Sequence, residues 1–182
     1  PIFVPHNGCP HDCVFCNQRR ITAQTESATP EAADQIIKKT LATIDSKNAR
    51  VEIAFFGGSF TAIDQDSQKQ LLAVANQYIC SGQAHGIRIS TRPDCINKAN
   101  LEMLKEYMVT TIELGVQSLD DEVLKLSGRG HDTACVDEAV KLIRQFDFLL
   151  GLQMMVGLSG DTPEKSLKTA QKIIEYAPNC VR

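Results

Sequence analysis

The sequence contains no tryptophan and is only 5% aromatic, yet 182 residues with a 43% hydrophobic share suffice for one domain with a sizeable core. Such a chain buries roughly 70% of the surface it exposes when unfolded, which excludes disordered and collagen-like classes. It also lacks an excess of charge: 19 basic against 22 acidic side chains leave a net charge of −3. That balance argues against a strongly cationic nucleic-acid surface, although a local patch stays open. No apolar run approaches the ~18 residues of a membrane span, and no signal-peptide pattern opens the chain. The chain is too short for a complete eight-stranded α/β barrel, which takes about 250 residues. It also lacks the even cysteine count of a secreted disulfide framework. Its seven cysteines crowd at one end (Cys9, Cys13, Cys16) and scatter elsewhere (Cys80, Cys95, Cys135, Cys180). This usage fits a reducing, cytoplasmic compartment, with one cluster kept for chemistry and four ordinary core or surface residues. The chain starts at Pro1 without a methionine and stops at Arg182 just after a helical pattern. The expectation is a piece of a longer protein, with residues 1–182 as a single core domain.

What is present alternates short β-type runs with amphipathic helices. Ile2–Pro5, Val51–Phe56, Ile87–Thr91, Thr110–Gln117 and Phe148–Val156 read as strands, and Val181 would begin a sixth. Thr29-Pro30-Glu31 and Thr162-Pro163-Glu164 each combine a cap, a proline at the first helical position and an acid in the first turn. Helical stripes follow at Ile37/Leu41/Ile44, Leu71/Leu72/Ala75/Tyr78/Ile79, Leu101/Leu104/Met108, Val136/Ala139/Val140/Ile143 and Leu167/Ala170/Ile174. Between the fourth and fifth strands, a short helical turn from Ser118 would end in a left-handed cap at Gly128. Five or six βα units in a row mean a parallel sheet with right-handed crossovers.

Two architectures fit, a doubly wound sheet or part of a barrel. The strands alternate: Ile87 and Ile89 oppose Arg88 and Ser90, and Ile112, Leu114 and Val116 oppose Glu113, Gly115 and Gln117. In the fifth strand, Leu152, Met154 and Val156 oppose Gln153 and Met155. Strands covered by helices on both faces read as continuous apolar runs, so alternation points to one face under helices and one lining a polar lumen. The expected fold is therefore a partial (β/α)6-type barrel with parallel strands, truncated after about five βα units.

The strongest chemical signal is the C-x3-C-x2-C loop of Cys9, Cys13 and Cys16 after the first strand. Three thiolates suit a cubane iron–sulfur cluster whose fourth iron is open to a small molecule. Zinc is the alternative, with His6, His11 or Asp12 as fourth ligand in a binding module without redox chemistry. Gly57-Gly58-Ser59 follows the second strand, where adjacent glycines let a ligand approach the backbone. It is not a phosphate loop, since neither G-x-G-x-x-G nor a Gly-Lys-Ser/Thr ending appears. Gln117, able to bind ribose hydroxyls, and Arg129, able to grip a carboxylate, complete a candidate rim. Arg19-Arg20 reads as a solvated pair, and His6 and His11 as structural or exposed.

Together these residues resemble the radical S-adenosylmethionine superfamily. The segments PHNGCPHDCVFCNQ, FFGGSFTAI, STRPD and IELGVQSLDDEVLKLSGRGH look like its Elongator catalytic-subunit branch, and are similar to oxygen-independent coproporphyrinogen III oxidase. The resemblance implies a partial barrel in which Cys9, Cys13 and Cys16 carry a 4Fe–4S cluster and S-adenosylmethionine chelates its open iron. Phe15 would lie against the adenine. Gly57, Gly58 and Ser59 would take the methionyl amino group, Gln117 the ribose or methionine end and Arg129 the carboxylate. Gln153 stands where the coproporphyrinogen enzyme carries an acid near the ribose. Ser90 replaces a glutamate common in relatives, and Gly157-Leu158-Ser159 replaces their Gly-Leu-Pro. The implied activity is reductive cleavage of S-adenosylmethionine to a 5′-deoxyadenosyl radical that abstracts hydrogen. The implied partners are a small-molecule or tRNA substrate and an electron donor of flavodoxin or ferredoxin type. Substrate determinants are expected among lumen residues such as Arg88, Arg92, Glu113 and Gln153. A coproporphyrinogen-oxidase-like oxidoreductase is the other enzymatic reading.

Overall fold

The computed structural model describes residues 1–4, 9, 11, 13–16, 28–45 and 49–182. Strand β1 (Ile2–Val4) precedes helix α1 (Pro30–Leu41), β2 (Glu52–Gly57) and α2 (Gln65–Cys80). Then come β3 (Gly86–Thr91), α3 (Lys98–Glu106), β4 (Val109–Gln117), the short α4 (Asp121–Leu126) and α5 (Thr133–Arg144). Strand β5 (Leu149–Met154), α6 (Pro163–Glu175) and β6 (Cys180–Val181) close the series, and 3-10 turns at Phe60–Ala62 and Pro93–Cys95 follow β2 and β3.

The helices start where the chain supplies side-chain caps. Thr29 accepts from Ala32 N at 3.2 Å, Asp132 from Cys135 N at 2.9 Å and Thr162 from Lys165 N at 3.3 Å. Each cap satisfies an amide that the helix leaves without a partner and is worth about 1 kcal/mol.

All strands are parallel and lie in the order β1-β2-β3-β4-β5-β6. A doubly wound sheet reverses its order at a switch point, and this one never does. With every crossover of one hand, the helices fall on a single face and the other face is left as a lumen. The sheet is an open piece of a parallel barrel, as the alternation of the strands implies.

The two faces separate cleanly in β3 and β4. Ile87, Ile89, Ile112, Leu114 and Val116 are fully buried beneath the helices, where they meet Leu71, Leu72, Leu101, Leu104, Val136 and Ile143 in one core. Each such side chain contributes about 1.5–3 kcal/mol of apolar burial. On the opposite face Glu113 pairs with Arg182 at 2.6 Å and with Arg88 at 3.7 Å, and Arg88 binds Glu52 at 3.0 Å.

Four expectations need correction. Strand β5 stops at Met154, because beyond it the chain turns away and Val156 stands exposed. Helix α6 buries Thr169 and Ile173, whereas Leu167 and Ile174 are exposed. Its rotation is fixed by Thr169, whose hydroxyl accepts from Leu119 N at 3.1 Å and must therefore face inward. Met108 lies past the end of α3 in a left-handed turn and is half exposed. The turn helix α4 starts at Asp121, capped by Asp120, rather than at Ser118.

Candidate active site

The site is built at the carboxyl ends of the strands, where the βα loops converge. A cavity of about 440 Å³ is lined there by Cys9, Cys13, Cys16 and Phe15, by Gly57, Gly58 and Ser59, and by Ser90, Gln117, Arg129 and Gln153. All eleven positions expected to hold the cluster or its ligand thus face one space, of a size usual for a cofactor-sized ligand. Phe3, Thr91, Arg92, Gly115 and Met155 complete the wall.

The cysteine loop is tied down at two points. Cys16 N donates to Cys13 O at 2.8 Å, a tight turn inside the loop. Val14 N donates to Ser127 O at 3.1 Å, docking the loop on the end of α4. Cys13 is buried, while Cys9 and Cys16 are partly exposed. Among the described residues, no three metal-binding side chains close into a compact cage; the cysteines open onto the shared cavity instead. His6, Asp12 and Arg19-Arg20 lie outside the described residues. His11 Nε2 lies 3.5 Å from Asp94 Oδ2, and its ring fills the space that a side chain at Gly130 would need.

Gly57 has φ of +109°, and a Cβ there would strike the Phe3 ring and lie 2.7 Å from Val4 O. Only glycine lets the strand end so close to β1. At Gly115 a Cβ would meet Gln117 Nε2 at 2.9 Å and Arg129 Nη2 at 3.0 Å. The missing side chain leaves both polar groups their room. Gln117 itself sits at φ +70°, beyond a register shift between β4 and β5. An ordinary residue held in that conformation costs about 1–2 kcal/mol and marks a site where the surroundings impose it.

Arg129 is aimed by the end of α4. Gly128 N bonds Lys125 O at 3.1 Å and Arg129 N bonds Leu124 O at 3.0 Å, with Gly128 at φ +63°. These two bonds form a Schellman cap, and Arg129 is its last residue. Its guanidinium is buried and donates to Cys13 Sγ at 3.7 Å and to the Gly115 carbonyl. Among the described residues it hydrogen-bonds no carboxylate. Burial lowers its pKa, and the neighbouring Arg92 cation lowers it further. Arg92, which also reaches Cys13 Sγ at 3.8 Å, differs because Asp94 holds it through two hydrogen bonds. Burial pushes the Arg92 pKa down, and Asp94 more than offsets this. His131, not singled out in the sequence, lies behind these groups; burial and the Arg129 charge push its pKa down to about 4.

Three buried polar atoms of the cavity wall lack a protein partner among the described residues: Ser90 Oγ, Gln117 Oε1 and Arg129 Nε. Groups left in this way cost about 1–3 kcal/mol each unless something polar meets them. The wall therefore offers three soft sulfur donors beside a cation and neutral hydrogen-bonding groups. That set fits a thiolate-held cluster with a zwitterionic, hydroxyl-bearing ligand next to it. Of the expected lumen residues, Arg92 and Gln153 belong to the cavity. Arg88 and Glu113 are engaged in ion pairs on the lumen face of the sheet.

Known proteins share both the sequence and the fold. A tRNA uridine(34) acetyltransferase of Dehalococcoides mccartyi is 28% identical over 204 residues, covering 94% of this chain and 44% of the relative. The structure of Elp3 from the archaeon Methanocaldococcus infernus superposes with a TM-score of 0.71 at 23% identity, over 84% of this chain and 40% of that one. Coproporphyrinogen III oxidase from Escherichia coli, described as a radical SAM enzyme, gives 0.66 at 19% identity, over 99% and 43%. The chain spans about half the length of the relatives it matches, or somewhat less. No described helix is long and apolar enough to cross a membrane. The family model of the radical SAM superfamily matches residues 3–173, nearly the whole chain. With its cysteine loop, glycine-flanked strand end and open parallel barrel on one cavity, this chain belongs to the radical SAM superfamily.

Proposed function

We propose that residues 1–182 are the core of an enzyme that holds a 4Fe–4S cluster on Cys9, Cys13 and Cys16 and S-adenosylmethionine in the adjoining cavity. The observation that carries this is the convergence of the three cysteines with Arg129, Gln117, Gln153 and Ser59 on a single cavity. When bound, the two cofactors supply one-electron reductive cleavage and a 5′-deoxyadenosyl radical for hydrogen abstraction.

The chain's own part is to bind and orient. Arg129, buried and hydrogen-bonded to no carboxylate among the described residues, receives the methionyl carboxylate through charge-assisted hydrogen bonds. Ser59 meets the amino group beside the open strand end at Gly57 and Gly58. Gln117 and Gln153 serve the ribose hydroxyls, with Ser90 between them, and Phe15 covers the adenine. An external one-electron donor of flavodoxin or ferredoxin type completes the system.

For the substrate we infer a nucleobase of tRNA. The support is the family resemblance to the Elongator-type branch and the name of the relative from Dehalococcoides.

The test is anaerobic reconstitution with iron and sulfide, followed by electron paramagnetic resonance of the reduced protein with and without S-adenosylmethionine. A cubane signal that changes on addition is expected, and it should vanish in Cys13→Ala along with 5′-deoxyadenosine formation. Stoichiometric zinc with no cluster, or unchanged 5′-deoxyadenosine in the variant, overturns the proposal.

A further inference from the structure

Three buried hydroxyls stand in a row behind the cavity wall. Ser59 Oγ lies 2.8 Å from Thr91 Oγ1, and Thr91 Oγ1 lies 2.6 Å from Thr61 Oγ1. Thr61 Oγ1 donates to the carbonyl of Cys95 at 2.7 Å, and Arg92 N donates to Ser59 Oγ at 3.2 Å. The three residues are 5%, 4% and 7% exposed, so bulk water does not compete for these bonds.

Each hydroxyl has one proton and two lone pairs. The ends of the row are fixed, because a carbonyl can only accept and a backbone N–H can only donate. Thr61 commits its proton to Cys95 O, so Thr61 Oγ1 accepts from Thr91. Thr91 has then used its proton, so its oxygen accepts from Ser59. Ser59 in turn has no proton left. One of its lone pairs is taken by Arg92 N, and the other is all it can offer the cavity it lines. The Cys95 thiol also lies beside Ser59, but burial raises its pKa and keeps it a neutral, weak partner.

We propose that Thr61 and Thr91 are positioning residues that lock Ser59 as a pure hydrogen-bond acceptor, so that the cavity selects a ligand with an amine N–H donor at that point. An amine whose lone pair is committed, as it would be on the open iron of the cluster, has donors and no acceptor, and it is the complement of such a wall. An unlocked serine would serve a hydroxyl or a carboxylate equally well. The inference rests on the reading of the cavity as the S-adenosylmethionine site and adds the residues that choose between amine and no amine.

Thr61→Val removes the acceptor at the far end. Thr91 can then turn its proton toward Ser59, and the Ser59 proton turns toward the ligand. The experiment measures the dissociation constants of S-adenosylmethionine and of its analogue with the α-amino group replaced by hydrogen, on the reconstituted chain under anaerobic conditions. The expected result is a loss of roughly tenfold for S-adenosylmethionine in Thr61→Val and Thr91→Val, in the range of a hydrogen bond to a charged group. The analogue should change less than about twofold on the same grounds, and Thr61→Ser should restore selectivity. Ser59→Ala, which leaves the backbone intact, must show the same selective loss, and it carries the test if a valine variant fails to fold. Equal weakening of both ligands, or undiminished selectivity in Ser59→Ala, overturns the inference while leaving the cavity assignment standing. A wild-type chain that binds neither ligand removes both.

Discussion

Arg92 holds Asp94 through two hydrogen bonds, Nε to Oδ1 at 2.8 Å and Nη2 to Oδ2 at 3.0 Å. The same guanidinium reaches Cys13 Sγ at 3.8 Å and the backbone carbonyl of Arg129. One carboxylate behind the cavity wall therefore fixes a cation that joins three separate loops.

Removing that carboxylate strands a buried charge. Asp94→Asn is expected to destabilise the protein by roughly 3 kcal/mol at neutral pH, the scale for breaking a buried pair on one side. Burial acts to raise the Asp94 pKa, and the Arg92 hydrogen bonds and charge override it, leaving the value below the ordinary 3.8. A lowered carboxylate pKa stabilises the fold above the ordinary value, and that contribution is lost as pH falls through the lowered one. Denaturant melts below pH 3.8 should show a steep loss in the wild type and a shallower one in Asp94→Asn. Equal slopes would remove Asp94 as its source.

Gln117 combines a left-handed backbone with a side chain in the cavity. In Gln117→Gly, relief of about 1 kcal/mol of backbone strain opposes about 0.5–1 kcal/mol of added chain entropy. Stability should stay within about 0.5 kcal/mol, while affinity for S-adenosylmethionine falls roughly fivefold with the lost hydrogen bond. Melts and equilibrium binding on one preparation separate the two effects. A large loss of stability would mean that the amide packs rather than binds.

Arg129 is costly to the empty fold. Arg129→Met should leave the ligand-free chain as stable as the wild type or more so, because a buried cation that hydrogen-bonds no carboxylate among the described residues is replaced by apolar volume. The same change should weaken S-adenosylmethionine roughly 10–100-fold, the range for hydrogen bonds to a charged group. Thermal melts with and without ligand would show both, as a raised or equal baseline and a smaller ligand-induced shift.

The alternation of Ile87 and Ile89 with Arg88 and Ser90 was enough to predict a one-sided sheet, because side chains on a strand have no choice but to alternate. The cysteines, Gly57 to Ser59, Gln117 and Arg129 are legible for a related reason, since parallel βα units gather their loops at one end; Phe15 and the site roles of Ser90 and Gln153 come only from the family resemblance. What periodicity could not supply was direction within loops. Arg92 reads as a lumen residue next to its strand, but its guanidinium is turned to Cys13 by Asp94 two positions on. Thr61 and Thr91 carry no separate signal in the sequence, since a hydroxyl row exists only once β2 and β3 are paired. His131 carried no signal apart from its place in the SGRGH segment. The α6 stripe of Leu167, Ala170 and Ile174 is off by one position, because spacings of three and four residues fit the buried pair Thr169 and Ile173 as well as they fit that set. A hydrogen bond to Leu119 N, invisible in the pattern, decided between them.

The strictly sequential strand order has a consequence in time. Synthesis proceeds at about 5–20 residues per second and folding follows the emerging chain, so the three cysteines are made first and the wall around them last. Arg129 and Gln153 follow Cys16 by an interval on the order of ten seconds. Until β5 pairs with β4, the thiols face a cavity with one side missing. Loading metal before that point would fix the loop against an incomplete wall, so the orderly sequence is sheet first and cluster second.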